Sequence, residues 1–334
     1  MRKFPAKESG TGGFPHILLH WKPAAEKAGG RHGTHMKVLN FGSLNMDMVY
    51  QMEHFIRSGE TFAATRLDKF PGGKGLNQSI ALAKAGACTY HAGSIGADGG
   101  LLTETLQAAG VDTRYVRTVE EVTGHAVIQV DRTGENSIIL YAGANGTVTS
   151  EQIDQVLAGF SAGDYLILQN EINKLDEIME KAYAAGLKIV LNPSPMNEVI
   201  QTLPLDKVSV FMLNEIEGAE LAGESEPERI LSVLTDKYRE AEFVLTLGGK
   251  GSIYAKGEQR IRQGIYKVQA VDTTAAGDTF TGYFISTLMQ TNEPARALDI
   301  AARASALAVS RKGAAPSIPD REEVEQAALS KAEN

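Results

Sequence analysis

The chain has a single cysteine, Cys88, and therefore cannot form a disulfide bond within itself. A zinc site built from several cysteines is disfavoured for the same reason. No apolar run approaches the roughly 20 residues that a membrane-spanning helix needs. Positive charge is also scarce, because 33 Lys and Arg face 41 Asp and Glu and leave a formal net charge of −8. These absences favour a cytoplasmic protein that binds small molecules, not nucleic acid or a membrane.

The chain of 334 residues is long enough for one large α/β domain or two smaller ones. Residues 1–35 are rich in Gly, Lys and His but lack the continuous apolar segment of a signal peptide. Residues 33–36 read Gly-Thr-His-Met, as at a vector junction. We interpret residues 1–35 as a tag, a disordered extension or a mis-assigned start. At the other end, we expect residues 328–334 to be a frayed helix end.

Short apolar runs alternate with helical patterns after residue 150. The runs cover residues 165–169, 188–192, 208–213 and 243–247. This alternation predicts a parallel sheet covered by helices on both faces. Polar or glycine residues follow several of the runs, and we expect them to gather at the C-terminal edge of the sheet, where open α/β proteins bind ligands.

Two further patterns lie before residue 150. A first strand over residues 38–42 is followed by Asn45 and Asp47, which are either ligand-binding residues or turn formers. Apolar and polar residues alternate over 124–130, and a turn leads to a second strand over 137–141. This predicts a hairpin that stands apart from the alternating helices and strands.

Residues 271–282 combine small residues with an acid. Ala275, Ala276 and Gly277 come directly before Asp278, and apolar residues then recur at helical spacing. Such a turn presents backbone N–H groups at a helix N-terminus, where the dipole favours negative charge. An acid beside an anion site suits phosphoryl transfer. An ordinary helix start with a small-residue turn is the alternative interpretation.

Glycines also precede a predicted helix at residues 72–75, where the sequence reads Gly-Gly-Lys-Gly. Glycine allows a ligand to approach the backbone closely. The spacing GxxxxGK[ST] of a P-loop is missing, and no GxGxxG opens the first βα unit. A dinucleotide-dependent oxidoreductase is therefore disfavoured.

Three blocks stand in the order seen in the ribokinase (PfkB-type) family of carbohydrate kinases and resemble it. They are Gly-Gly-Lys-Gly-x-Asn at 72–77, Asn-Glu-x-Glu at 214–217 and Asp-Thr-Thr-Ala-Ala-Gly-Asp-Thr-Phe at 272–280. Segments 42–47, 142–145, 192–195 and 311–317 are similar to the same family. The resemblance spans about residues 37–325. It implies a Rossmann-like α/β kinase domain, with a mostly parallel central sheet and a small β-sheet lid from about 49–70 and 124–141, which forms the dimer contact in ribokinases.

The resemblance also implies a role for each matching residue. Asp278 would be the general base, and the N–H groups of Ala275, Ala276 and Gly277 would form an anion hole. The sugar-binding positions are Asn45, Asp47, Gly73, Lys74, Asn77, Glu171 and Asp278. The nucleotide-binding positions are Asn214, Glu217, Thr246, Gly248, Gly251 and Gly277, with Glu217 also holding Mg²⁺ through water. The potassium positions are Asp272, Thr274, Ala308, Arg311, Gly313 and Ser317.

The function that follows is an ATP-dependent sugar kinase that uses Mg²⁺ and K⁺ and converts D-ribose to ribose 5-phosphate. The sugar is left open, since fructose, deoxyribose, 2-keto-3-deoxygluconate or a nucleoside would need the same chemistry. A sugar sensor without catalysis is a different class, against which the intact Asp278, Gly277 and Glu217 argue. Lys74 as a solvated loop lysine and Arg311 as a surface charge are the simpler interpretations of those two residues.

Overall fold

The computed structural model describes residues 36–332, so the interpretation of residues 1–35 as a tag or extension lies outside the described residues. The strands are β1 (Lys37–Phe41), β2 (Asn45–Gln51), β3 (Arg66–Gly72), β4 (Cys88–Ile95), β5 (Asp112–Thr118), β6 (Gly124–Val130), β7 (Asn136–Tyr141), β8 (Tyr165–Gln169), β9 (Lys188–Asn192), β10 (Val208–Asn214), β11 (Glu242–Thr246), β12 (Ser252–Lys256) and β13 (Gln259–Gln263). The helices are α1 (Lys74–Lys84), α2 (Gly100–Ala108), α3 (Ser150–Leu157), α4 (Leu175–Ala184), α5 (Glu215–Ala222), α6 (Pro227–Lys237), α7 (Ala276–Thr291), α8 (Pro294–Val309) and α9 (Arg321–Gln326). Short 3₁₀ helices cover Gly143–Thr147, Glu198–Thr202, Leu205–Lys207, Gly248–Lys250 and Ala315–Ser317.

The larger sheet has nine strands in the order β13-β12-β11-β10-β9-β8-β1-β4-β5. All neighbours from β11 to β5 pair in parallel, and β12 and β13 add an antiparallel edge. Strand β8, Tyr-Leu-Ile-Leu-Gln, is buried throughout, as a parallel strand covered on both faces requires. The predicted α/β architecture with a mostly parallel sheet is confirmed.

Helices cover both faces of this sheet, and each face has its own apolar core. One core joins Phe41, Phe211 and Phe243 to apolar residues of α3, α4 and α6. The other joins Val38 and Tyr283 to apolar residues of α1, α7 and α8. Successive residues of β1 thus enter opposite cores, because side chains alternate along a strand. Within residues 36–332, no helix is long and apolar enough to cross a membrane.

The smaller sheet has the strand order β3-β2-β6-β7, and we call it the lid sheet. Strands β6 and β7 form the hairpin predicted from residues 124–141. The expected start of the other lid segment at about residue 49 is wrong, because β2 begins at Asn45. Asn45 and Asp47 therefore lie in a strand and not in a turn after β1. Their backbone is paired on both sides, since Asn45 lies opposite Gly72 in β3 and Gly124 in β6.

The chain beyond α9 is not the frayed helix end expected from the sequence. The N–H of Lys267 donates to the carbonyl of Ser330 at 2.8 Å, and the N–H of Ala332 donates to the carbonyl of Ile265 at 2.9 Å. Tyr266 and Lys331 form an isolated antiparallel bridge. Residues 330–332 are ordered because their backbone groups find partners in the segment after β13.

Candidate active site

The turn before α7 has an unusual backbone conformation. Ala275 has φ of 60°, in the left-handed region that costs a non-glycine residue about 1–2 kcal/mol. Gly277 follows in the first helical turn and is exposed, and a Cβ built on it would meet no atom within 4 Å. Its N–H lacks an intrahelical acceptor by position. In this conformation the N–H of Ala276 is engaged, because it donates to the carbonyl of Thr273 at 3.2 Å, and the anion hole of three donors stays a prediction.

Asp278 lies in the first turn of α7 and is only 8% exposed. Its Oδ2 accepts a hydrogen bond from Nδ2 of Asn77 at 3.0 Å, and its Oδ1 accepts one from Nε2 of Gln78, also at 3.0 Å. Both donors belong to α1. Close packing of α1 and α7 makes these contacts possible, since a Cβ on Gly282 would lie 2.4 Å from Cβ of Ala81. Each carboxylate oxygen retains a lone pair for a substrate hydroxyl.

The predicted sugar-binding residues converge from three parts of the chain. Asn45 and Asp47 come from β2, Gly73, Lys74 and Asn77 from the start of α1, and Glu171 from the loop after β8. Glu171 Oε2 accepts hydrogen bonds from Oγ of Ser43 and, at 3.1 Å, from the N–H of Lys74. Gly72 leaves space for Asp47, because a Cβ there would lie 2.1 Å from Oδ2 of Asp47.

Burial and mutual repulsion disfavour ionisation of the carboxyls in this cluster. Burial raises the pKa of Asp47 to about 7, and the negative charge of Glu171 adds to the effect. Burial also raises the pKa of Glu171, although the Ser43 hydroxyl and Lys74 oppose the shift. Burial lowers the pKa of Lys74, but the carboxylates of Asp278, Glu171 and Glu217 outweigh it and leave the pKa raised. Lys74 is thus a half-buried cation among carboxylates and not a solvated loop lysine.

A polar cavity of about 220 Å³ lies beside Asp278. Its polar lining includes Lys74, Asn192, Ser194, Asn214, Glu217, Thr246, Thr273 and Asp278. Asn214 and Glu217 form a capping box at the start of α5, with two reciprocal hydrogen bonds of 2.9 Å. Burial raises the pKa of Glu217, while the Asn214 N–H, Lys74 and Ser194 oppose the shift. The Glu217 carboxylate is therefore fixed in place and faces the cavity that contains the Asp278 side chain.

A larger, mainly apolar cavity of about 590 Å³ adjoins the polar one. Its walls include Gly248, Gly251, Phe280, Ala302, Ala306, Val309 and residues 264–268. The two cavities share Thr246, Thr273 and Gly277. The large cavity has the size of a small-molecule site. A bound molecule could thus extend from the apolar cavity past Gly277 to the carboxylate of Asp278.

Residues 36–321 match the family described as pfkB family carbohydrate kinase. The chain belongs to the pfkB family of carbohydrate kinases. It is accordingly a phosphotransferase with an alcohol acceptor. The Asp278 turn and the adjoining cavities are the candidate active site of this kinase.

Several relatives of this pfkB-family kinase are known as ribokinases. The ribokinase of Haemophilus influenzae is 36% identical over 293 residues, which cover 84% of this chain and 95% of the relative. A solved structure of Arabidopsis thaliana ribokinase complexed with ribose and ATP has a TM-score of 0.79 at 33% identity, covering 87% of this chain and 98% of that one. A ribokinase from Cryptococcus neoformans in complex with ADP has a TM-score of 0.77 at 34% identity, covering 87% and 99%.

The pfkB kinase brings its two predicted potassium segments together. The carbonyl of Val309 accepts the N–H groups of Val271 and Asp272 at 2.8 and 3.1 Å. The Asp272 carboxylate accepts the N–H groups of Thr274 and Gly313, each at 2.9 Å. Burial raises the pKa of Asp272, but hydrogen bonds from Thr274 and Gly313 and the charge of Lys312 outweigh it and lower the pKa. Asp272 is thus held as an anion at the junction of the two segments.

The other predicted potassium residues offer mainly backbone oxygens. The guanidinium of Arg311 pairs with Glu323, and because it has no acceptor atom, Arg311 can offer a cation only its carbonyl. The carbonyl of Ala308 accepts the Arg311 N–H at 3.1 Å, and the Ser317 hydroxyl donates to the carbonyl of Ala314 at 2.8 Å. Within residues 36–332, no three His, Cys, Asp or Glu side chains group together as a metal site. Carbonyl oxygens can replace the hydration shell of K⁺, so a set of carbonyls and one carboxylate is compatible with that ion.

Sequence reasoning assigned no role to four polar residues at the site. Ser43 binds Glu171, Gln78 binds Asp278, and Asn192 and Ser194 line the polar cavity. Each lies within two residues of a position that the motifs had singled out or within a segment they included. Closeness in sequence to a motif was therefore the only signal for these four residues. It does not show which residues beside a motif point their side chains into the site.

Proposed function

We propose that this kinase transfers the γ-phosphoryl group of ATP to the primary hydroxyl of D-ribose, giving ribose 5-phosphate and ADP. The observation that carries the proposal is the position of Asp278, in the first turn of α7 and at the side of a cavity that adjoins a nucleoside-sized apolar one. The ribokinases that resemble the chain over most of its length support ribose as the acceptor.

The proposed reaction uses Asp278 as the general base. Its carboxylate takes the proton of the hydroxyl while that oxygen attacks the γ-phosphorus and the bond to the ADP oxygen breaks. The N–H of Gly277 and the positive end of α7 stabilise the charge on the phosphoryl oxygens. Ala275 and Ala276 complete the anion hole once the bond from Ala276 to Thr273 is exchanged for one to phosphate.

The sugar is held by an arrangement of hydrogen-bond acceptors. Asp47 and Glu171 accept hydrogen bonds from hydroxyls, since each carboxylate oxygen has two lone pairs. Asn45, Asn77 and the backbone at Gly73 contribute the remaining polar contacts. The Oδ1 of Asn77 is buried and has no partner among the described residues, so it suits a hydroxyl donor. Lys74 balances the carboxylates and points its charge toward the transferred phosphate.

The nucleotide occupies the larger cavity in this proposal, with adenine against the small residues of α8 and phosphates toward Gly277. Thr246, Gly248 and Gly251 lie at its edge, and Asn214 and Glu217 face the phosphates. Glu217 would hold Mg²⁺ through water, and that ion would offset the negative charge of the phosphates. K⁺ would be held by the Asp272 carboxylate, by Thr274 and Ser317, and by the carbonyls of Ala308, Arg311 and Gly313.

The lid sheet supports a homodimer. Its edge strand β7 is exposed along its whole length, and Ile138, Ile139 and Leu140 are 52%, 61% and 56% exposed. An exposed apolar edge strand is a template for pairing with another chain, and a second copy offers the same edge. We also propose a cytoplasmic location, where ATP and free sugars meet.

A coupled assay of ADP release with a panel of sugars tests the proposal. We expect D-ribose to give the highest kcat/KM, and Asp278→Asn to lower kcat by at least about a hundredfold with the thermal transition preserved. Asp47→Ala should raise the KM for ribose, because substrate hydroxyls lose a charged acceptor. A higher kcat/KM for fructose, deoxyribose or a nucleoside would refute ribose but not the kinase. Sugar binding without ADP release would indicate a sensor.

A further inference from the structure

A series of buried amide side chains connects Gly75, in the first turn of α1, to Asp278. Asn40 donates to the carbonyl of Gly75 at 2.8 Å, and Gln169 Nε2 donates to Oδ1 of Asn40 at 3.0 Å. Gln169 Nε2 also donates to Oε1 of Gln78 at 2.7 Å, and Gln78 Nε2 donates to Oδ1 of Asp278. All three amides are at most 1% exposed. The site described above uses only the last of these bonds.

The direction of every hydrogen bond in this series of amides is determined by the backbone carbonyl at its start. A carbonyl can only accept, so the NH₂ of Asn40 must face Gly75 and its oxygen must face Gln169. The NH₂ of Gln169 then faces the oxygens of Asn40 and Gln78. The oxygen of Gln78 is thereby occupied, and its NH₂ must point toward Asp278.

A second backbone anchor sets the same direction. Asn192 donates to the carbonyl of Met212 at 3.0 Å, which turns its Oδ1 toward Gln78. Nε2 of Gln78 donates to that oxygen at 3.2 Å. Both N–H groups and the oxygen of Gln78 are therefore engaged. A rotation of this amide by 180° would place its oxygen against the Asp278 carboxylate and break the three hydrogen bonds of Gln78, those with Asp278, Asn192 and Gln169.

We propose that Gln78 is a positioning residue for Asp278, and that Gln169 and Asn40 fix the orientation of Gln78. The proposal rests on Asp278 as the base of the proposed reaction. Gln78 is fully buried and lines neither cavity, so it acts on the reaction through Asp278 alone. It restrains one carboxylate oxygen and leaves the donor from Asn77 to restrain the other. Small errors in such a position are costly, because catalysis depends on the alignment of the reacting groups.

The first test replaces Gln78 with methionine, which has a similar length but cannot donate. We expect Gln78→Met to lower kcat by about tenfold to a hundredfold, with the KM values for sugar and ATP within about twofold of the wild type. Gln152→Met is the matched control, because Gln152 is equally buried but donates to the carbonyl of Gly93, outside the site. The control should lose thermal stability without losing kcat. A kcat within twofold of the wild type for Gln78→Met would overturn the proposal.

The second test examines the direction of the chain. Gln169→Met removes the donor to Gln78, whereas Gln169→Glu replaces it with an acceptor that favours the rotated Gln78 amide. We expect Gln169→Glu to lower kcat more than Gln169→Met, and Gln169→Met to add little in a Gln78→Met background. Additive effects of Gln78→Met and Gln169→Met on kcat, or equal kcat for the two Gln169 variants, would contradict the proposal that Gln169 orients Gln78.

All rates are measured with the acceptor that the wild type phosphorylates fastest, so an error about ribose does not affect the comparison. An NMR measurement that needs no turnover tests the contact between Gln78 and Asp278 independently of the kinase function. In the ¹⁵N-labelled full chain, the side-chain amide signal that disappears in Gln78→Met should exchange slowly with solvent. Asp278→Asn should shift that signal and leave the Gln152 signal in place. An unshifted Gln78 signal would overturn the contact with Asp278, whatever the activity.

Discussion

At the scale of single residues, the proposed sugar pocket holds two carboxyls, Asp47 and Glu171, that repel each other and are shielded from water. Burial is the larger cause of the raised pKa of Asp47, and Glu171 contributes the rest. Without sugar, ionised Asp47 has few compensating donors, which makes it unfavourable for the folded state. A bound sugar supplies hydroxyl donors to the same oxygens. If the pocket binds sugar as proposed, the same buried carboxyl that destabilises the empty protein would favour the sugar-bound one.

This arrangement predicts a stability gain from Asp47→Asn. The folded-state pKa of Asp47 is about 7, above its ordinary value of 3.8, so ionisation destabilises the native protein as the pH rises from about 4 to 7. Asparagine cannot ionise and avoids this loss. Thermal unfolding without sugar should show that the advantage of Asp47→Asn grows over that interval and is constant above it.

Asp112→Asn is the control, because the pKa of Asp112 is shifted in the opposite direction and the change in stability should have the opposite sign. The hydrogen bond from Arg114 lowers the pKa of Asp112, so its charge stabilises the fold above the ordinary pKa and that contribution is lost as the pH falls. Asp112→Asn should therefore be less stable than the wild type at neutral pH. An advantage of Asp47→Asn that does not change between pH 4 and 8, or that persists at saturating ribose, would contradict the explanation.

Asp272 gives a second prediction at the residue scale. It joins the turn before α7 to the segment after α8, and a cation there would fix the turn that leads to Gly277. Activity should rise when K⁺ replaces Na⁺ at constant ionic strength, and Asp272→Ala should abolish the response. Glu323→Gln should retain it, because that change releases only the side chain of Arg311. Equal rates in K⁺, Na⁺ and a bulky organic cation would show that Asp272 merely caps the turn.

At the scale of elements, the amino-acid pattern predicts the buried parallel strands best. Strands β8 and β9 have the predicted bounds, because a strand covered on both faces is a continuous apolar run. The β12–β13 hairpin was not predicted, since its outer strand alternates weakly and carries two arginines. The start of β2 was also missed, although Met46, Met48 and Tyr50 alternate with polar or smaller residues. The possible role of Asn45 and Asp47 as turn formers obscured this alternation.

The hydrogen bonds that join Asn40, Gln169 and Gln78 could not be predicted from the sequence. Gln169 lies 129 residues from Asn40 and 91 from Gln78, and only the packing of α1 against β1 and β8 brings them together. Motif spacing identifies the residues near Asp278, but hydrogen-bond partners between distant segments depend on the three-dimensional arrangement.

The segment after β13 supports a prediction about ATP. Residues 264–268 line the larger cavity, and Ile265 and Lys267 form backbone hydrogen bonds with Ala332 and Ser330. Tyr266 also donates to Asp299 at 2.6 Å and lies 5.9 Å from the ammonium of Lys331. Removal of residues 328–334 should loosen this wall and raise the KM for ATP several-fold, with the KM for sugar unchanged. Steady-state kinetics with each substrate varied in turn measure both values.

Lys331→Ala is the matched control for that deletion. It keeps the backbone bonds of residues 330 and 332 but removes the cation near Tyr266 and Asp299. Its KM for ATP should lie between those of the wild type and the truncated chain. A truncated chain with unchanged KM for ATP would show that the bonds to residues 330–332 do not shape the cavity.

At the scale of the whole molecule, the lid sheet leaves an apolar strand unpaired at its edge. The backbone of β7 pairs on one side only, with β6, so its other side is available to a partner. Ile139→Lys should convert a dimer to a monomer in light scattering after size-exclusion chromatography, because a charge on both copies disfavours the contact. Val233→Lys, an exposed apolar residue on α6, is the control and should leave the oligomeric state unchanged. A wild type that is monomeric at micromolar concentration would refute the dimer.

The short link between β1 and β2 places the proposed sugar-binding residues in two parts of the molecule. Residues 42–44 connect β1 of the central sheet to β2 of the lid sheet, so Asn45 and Asp47 belong to the lid sheet, while Asn77, Glu171 and Asp278 belong to the central body. In the proposed function, acceptor recognition is therefore divided between the lid sheet and the central body, whereas phosphate transfer belongs to the central body alone. Changes among the seven residues of β2 would then alter the choice of acceptor, while Asp278 and its partners in α1 stay in place.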